Sequence, residues 1–513
     1  LISCTAWVAR GIASAHPQTY DVDDKELERI SALAQLNIDE AKAEMDEANA
    51  AAEEFKGQRD DQDSEDEGDV DMKEELDRKE KKQKKSKDAM DRDDDLTQYD
   101  LDDYDEEQPA SNANIFSNIK GLSYYADNAE DPYITLHDED EEEAQELEIR
   151  PSDNLIIAAK TEDHVSSLEV YVYDESEDNL YTHHDILLPS FPVCLEWLDY
   201  PPSSSTTDSK TGNYVAVGTL DPDIEIWSLD VIESIFPDAL LGDPKNKTRD
   251  ETGAPIMIPS PTKKERKRRK PKANAEYHID AILGLSWNRS HRNLLASASA
   301  DKTVKLWDLS RELNSAAIRS FDLHQDKVQA VQWNRVEPTV LLTGSYDKTV
   351  RTFDSRSPTS GFGAKLPSDV EALKWDPWDG HSFYVSLENG LVLYYDARTL
   401  PSDLSKDATA RFTIQAHDGA ASGLDINPHI RGLVATGGTD NLVKLWNVTE
   451  EGGMARVKML TSRNLEAGKV FSVTWSPDDP LTLAAAGSEG KLQIWDVAAK
   501  SGVKDALGDK LPR

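Results

Sequence analysis

Three sets of histidine, hydroxyl and carboxylate residues recur at fixed offsets: His278 with Ser297 and Asp301, His324 with Thr343 and Asp347, and His417 with Thr436 and Asp440. The step from histidine to hydroxyl is the same in all three, and so is the step from hydroxyl to aspartate. A hydroxyl, an imidazole and a carboxylate in line are the parts of a serine-hydrolase relay. Three copies at a structural spacing favour another use, a buried Asp–His–Ser/Thr–Trp chain of hydrogen bonds that satisfies its own donors and acceptors and staples a repeat. The closing aromatics are Trp307, Phe353 and Trp446; Phe353 cannot donate, so the second chain must stop at its hydroxyl. No G-x-S-x-G elbow follows a strand. His183–His184–Asp185 lacks further ligands at metal spacing, and phosphate loops and dinucleotide fingerprints are missing. The expectation is a non-catalytic protein without metal, cofactor or small-molecule substrate.

The elements that position these residues are announced by aromatics. Trp287 and Trp307, Trp333 and Phe353, Trp375 and Tyr395, Ile426 and Trp446, and Trp475 and Trp495 are pairs at one constant separation along the chain. The second member of each closes an alternating strand such as VKLWD or LQIWD. With Tyr173 and Trp227 the strand-closing aromatics number seven. They are evenly spaced except for one long gap, between Trp227 and Trp307. A repeat of this length cannot bury its apolar face alone, so the units must close on one another. The expected fold is all-β, a seven-bladed propeller over residues 112–500. The long gap predicts an insertion, set at 232–276. The last repeat stops short of an outer strand, and PYITL at 132–136 is expected to supply it, so that no long edge stays open. Residues 501–513 are a tail.

Composition divides the chain. Residues 1–150 carry 46 acidic and 17 basic side chains, against 52 and 40 in the remainder, for a net charge of −41 overall. Residues 59–111 read as an acidic disordered linker, in which Ser64, within DSEDEGD, is a candidate phosphorylation site. Residues 1–58 read as a separate partner-binding segment. There Leu27, Ile30, Ala34, Ile38, Ala41 and Met45 form a narrow helical stripe, and Trp7, Leu27, Ile30 and Ile38 are the candidate contacts. Cys4 and Cys194 are the only cysteines, which points to a reducing compartment. No apolar run is long enough to span a bilayer as a helix, and the expectation is a soluble intracellular protein.

Within the insertion, Lys263, Lys264, Arg266, Lys267, Arg268, Arg269, Lys270 and Lys272 form a basic run, echoed by a basic cluster at 78–87. Such a run suits nuclear import, contact with RNA phosphates, or both. The body as a whole is not basic, and the aromatics are expected to be spent on blade packing rather than on a base-stacking platform.

LASASADKTVKLWDL and VATGGTDNLVKLWNV match the WD-repeat pattern. ISCTAWVARG, DDKELERI…LAQLNIDEAKAEM, GLSYYADNAEDPYITL, PSDNLIIAAKTED…LEVYVYDE and PSFPVCLEWLDYP carry a closer likeness, and across nearly its whole length the chain resembles the periodic tryptophan proteins of ribosome biogenesis. That resemblance implies a nuclear, nucleolar scaffold for the large-subunit precursor, with assembly factors, ribosomal proteins and pre-rRNA as partners. Against the repeat consensus, Tyr173, Phe353 and Tyr395 replace tryptophan, and Glu388–Asn389 and Glu489–Gly490 replace the turn aspartate. A chromatin-associated WD-repeat protein, its acidic tract holding histone tails, is the alternative. A ubiquitin-ligase receptor subunit has little beyond the propeller in its favour.

Overall fold

The computed structural model describes residues 1–20 and 147–499, apart from short stretches at 176–178, 203–210, 244–246, 250–254, 258–273, 312–315 and 453, together with Val503, Leu507 and Gly508. These residues form a seven-bladed β-propeller, each blade an antiparallel meander whose strands run a to d from the axis outward. Blade three is the simplest case, with Ile282–Trp287, Leu294–Ser299, Val304–Asp308 and Arg319–Phe321 as its four strands. The b strands, such as Leu433–Gly437 and Thr482–Gly487, are continuous buried runs, because neighbouring blades cover both of their faces. Small residues keep those faces thin. A Cβ on Gly344 or Gly437 would lie 2.6 or 2.5 Å from a methyl of Val370 or Val470 on the next blade.

Blade one departs from the sequence reading. Its a strand is Ile2–Val8, which pairs antiparallel with Asn154–Glu162. A register shift between Ile2 and Cys4 matches those between Pro192 and Cys194, Ile282 and Gly284, and Val328 and Ala330 in other a strands. Residues 1–20 therefore belong to the propeller, and the expected separate segment 1–58 must give way over that stretch. Trp7 is only 8% exposed and its indole donates to the Thr474 carbonyl of blade seven at 3.2 Å. It packs the ring closed and is not an open partner contact. The alternation in ISCTAWV, ending beside a tryptophan as other a strands do, is the signal that marks it.

The insertion is also narrower than expected, since Ala239–Leu241 is the outer strand of blade two. Lys247–Arg249 and Pro255–Met257 pair as a small hairpin within the insertion. Blade seven has three strands among the described residues, ending at Leu492–Asp496. The proposed closing strand 132–136, the helical stripe with Leu27, Ile30 and Ile38, Ser64, and the basic run 263–272 lie outside the described residues.

Candidate functional site

The three polar sets are assembled in the order of a relay. In blade three the Trp307 indole donates to Ser297 Oγ (2.8 Å), which lies 2.7 Å from His278 Nε2, and His278 Nδ1 lies 2.8 Å from Asp301. Blade six repeats this with Trp446, Thr436, His417 and Asp440 at 3.0, 2.9 and 2.9 Å. In blade four His324 bridges Thr343 (2.8 Å) and Asp347 (3.1 Å), while Phe353 packs edge-on against Phe321 and the Thr343 hydroxyl turns to the Arg351 carbonyl.

In blades three and six a neutral imidazole with its proton on Nδ1 satisfies every link, whereas in blade four the single Thr343 proton serves either His324 Nε2 or the Arg351 carbonyl. Burial pulls His278 and His417 below the usual imidazole range despite the facing carboxylates. Burial alone would raise Asp301, yet hydrogen bonds from His278 and Thr303 reverse this and hold it at about 2; Asp347 and Asp440 are lowered in the same way. Ser297, Thr343 and Thr436 are 0% exposed. No substrate carbonyl can reach these hydroxyls, so the sets are staples and not nucleophilic sites.

The other closing aromatics use different ties. The Trp227 indole donates to Glu225, Tyr395 stacks on Phe383, and Arg463 lies over Trp495. Tyr173 is buried in blade one. Blades five and seven, which lack the turn aspartate, place Gly390 and Gly490 in the left-handed conformation held by Lys302 and Lys348 in blades three and four. His183 and His184 meet through Nδ1 atoms 2.8 Å apart, and no group of three or more His, Cys, Asp or Glu suited to a metal occurs among the described residues.

Sequence reasoning missed a second polar system. Each a strand runs into an a–b loop, and the a–b loops gather on one face of the disc. Asn288, Asn334 and Asn427 directly follow the a-strand hydrophobics Trp287, Trp333 and Ile426. Each Oδ1 accepts from amides two and three residues ahead, shaping the loop. Each Nδ2 then donates to a carbonyl of the next blade: Asn288 to Pro338 (2.7 Å), Asn334 to Gly380 (2.6 Å), Asn427 to Pro480 (2.7 Å).

Other residues complete the circle. The Trp378 indole of blade five reaches the Asn427 carbonyl at 3.1 Å, and Arg292 of blade three grips Asp199 of blade two at 2.6 Å. Asp479 of blade seven accepts from Arg10 and Asn154 of blade one, and Ser14 bonds Asp230 of blade two. Nearer the axis, Glu196, Ser286, Gln332 and Asp425 accept the amides of Trp287, Trp333, Trp375 and Trp475 on the next blade. The result is a face tied from blade to blade around the ring.

The WD domain, G-beta repeat family model matches residues 270–308, 315–354, 409–447 and 459–496, which are blades three, four, six and seven. An uncharacterised WD repeat-containing protein of Schizosaccharomyces pombe is 43% identical over 100% of this chain and 92% of its own length. Periodic tryptophan protein 1 of Saccharomyces cerevisiae is 34% identical over 100% of this chain and 90% of its own. Its Drosophila melanogaster homologue is 31% identical over 99% and 96%. With the propeller, the run of aromatics and likeness along the full length all in agreement, this chain belongs to the periodic tryptophan protein 1 family of WD-repeat proteins.

Proposed function

We propose that the chain is a non-catalytic nucleolar scaffold in assembly of the large ribosomal subunit precursor and in pre-rRNA processing. It binds assembly factors, ribosomal proteins and pre-rRNA, and has no membrane or small-molecule partner. The observation that carries this reading is the likeness to periodic tryptophan protein 1, 34% identical over 100% of this chain, which takes in the acidic N-terminal region as well as the propeller. A face tied from blade to blade supports it, because a rigid platform can hold several partners in register. The acidic excess of residues 1–150 suits basic ribosomal proteins. Two modest attachments on one chain then act at high effective concentration. The basic run 263–272 and the cluster at 78–87 serve nuclear import, and the former adds local phosphate contacts.

Purification of the tagged full chain at moderate salt, with sequencing of the co-purifying RNA, tests the reading. Large-subunit pre-rRNA is the expected cargo. Nucleosomal DNA and core histones in its place would overturn it in favour of a chromatin-bound WD-repeat protein.

A further inference from the structure

All eleven tryptophans of the chain are placed, and ten of them are buried below 9% exposure in the blades. The eleventh, Trp378, is 41% exposed in the a–b loop of blade five. Its backbone amide is held by Asp376 and its indole N–H by the Asn427 carbonyl, so its polar edge is satisfied while the ring stays open to solvent. Val336 of blade four, 65% exposed, sits against the same loop; a Cβ on Gly380 would lie 2.5 Å from its Cγ2. Most aromatics are spent on blade packing, as expected; Trp378 is an exception, with Phe362 and Tyr181 also exposed on strands elsewhere.

The neighbouring a–b loops carry cations. Arg289 and Arg335 are exposed and have no hydrogen bond or ion pair among the described residues. They lie near Glu196 at the axis. Arg335 reaches solvent, yet the protein packed around it lowers its pKa, and the charge of Arg289 lowers it further. Asp425 and Glu196 act on Arg335 in the opposite sense, but no ion pair among the described residues holds either guanidinium, so both can take an incoming anion. Arg431 of blade six acts on Asp376 beside Trp378. Of the acids nearest these groups, Asp425 is held by Lys374 and the Trp475 amide, Asp376 by Tyr394 and Asp379 by Ser382, while Glu337 is exposed.

We propose that the a–b face of blades three to six binds single-stranded RNA, with Trp378 stacking on a base and Arg289 and Arg335 contacting phosphates. This deepens, and rests on, the reading of the chain as a pre-rRNA-binding scaffold. A flat indole with its donor already used takes any base face, and the arginines on the a–b loops of blades three and four take the backbone, which is the pairing that sequence-tolerant single-strand binders use. Duplex RNA offers no unstacked base to Trp378 and is bound less well.

Fluorescence polarisation of a labelled 15-nucleotide oligouridylate on the full chain tests the site. Trp378→Ala weakens binding about tenfold at every salt concentration, whereas Trp378→Phe, which keeps a flat ring, retains most of it. Arg289→Ala with Arg335→Ala lowers the slope of log affinity against log salt by about 1.4, the value for two lost phosphate contacts on a single strand. The arginine change leaves thermal unfolding unaltered, since both side chains are exposed and without a bond among the described residues. Trp378→Ala and Trp378→Phe both lose the indole bond to the Asn427 carbonyl, so their comparison below the unfolding temperature isolates the ring. Wild-type affinity and slope in both variants, or a wild-type chain that binds no oligouridylate, would overturn the site. An acidic polyglutamate that binds as tightly as the oligonucleotide, with the same sensitivity to Trp378→Ala, would reassign the face to a protein partner. Absence of pre-rRNA from the cellular purification strikes the broader reading instead, whatever the oligonucleotide shows.

Discussion

On one face of the propeller, in blades three, four and six, buried polar bonds close the blade upon itself, as His278 does with Asp301 and Ser297. On the other they run from blade to blade, as Asn288 does to Pro338 and Asn334 to Gly380. The first arrangement makes a blade stable as a unit and uses up its polar side chains. The second locks neighbours together through backbone carbonyls and leaves long side chains such as Arg289 and Arg335 exposed to solvent. A face built from closed staples offers little to a partner, whereas a face built from a belt can be rigid and still recognise something.

The contrast breaks first at Asp301. Asp301→Ala strips acceptors from His278, from the Thr303 hydroxyl and from the amides of Ile279 and Thr303. It should cost about 3 kcal/mol in urea unfolding; a loss under about 1 kcal/mol would mean that the set is no staple. The same carboxylate carries a pH signature. Its pKa falls from the ordinary 3.8 to about 2 on folding, so its contribution is complete above 3.8 and fades as the pH drops through about 2. His278, held below 6.5, adds a further loss as the pH falls beneath that value.

Asn334→Ala is the matching break in the belt. It removes one inter-blade bond and two loop bonds, at about 2 kcal/mol. Hydrogen exchange should quicken at the seam between blades four and five and nowhere else; uniform quickening would show that the belt is not local. Phe353→Trp sharpens the comparison with the smallest effect. The new indole N–H can reach Thr343 as Trp307 reaches Ser297, but the larger ring presses on Phe321, whose centroid lies 5.1 Å from that of Phe353. The net change should stay within about 1 kcal/mol in thermal unfolding.

The staples are legible in the sequence because each of their residues is a side chain repeated at the blade period, and the seven aromatics from Tyr173 to Trp495 are legible for the same reason. The belt is harder to see. Its acceptors at Pro338, Gly380, Asn427 and Pro480 are carbonyls that any residue supplies, and only the asparagines after Trp287, Trp333 and Ile426 mark it. Blade one defeats a local reading because its two inner strands, Ile2–Val8 and Asn154–Glu162, stand at opposite ends of the long acidic region. Trp378 escapes a reading by residue type, since a tryptophan in DPWDG looks like those that pack blades; only its loop position exposes it.

The division of labour between the two faces is tested most directly by measuring oligouridylate affinity on two folded variants side by side, below their unfolding temperatures. Asp301→Ala should bind with wild-type affinity and salt slope although it melts earlier. Arg289→Ala with Arg335→Ala should melt as wild type and bind with the reduced slope. The reverse pattern, with binding lost from the staple variant while it remains folded and kept by the arginine variant, would contradict the assignment of stability to one face and recognition to the other.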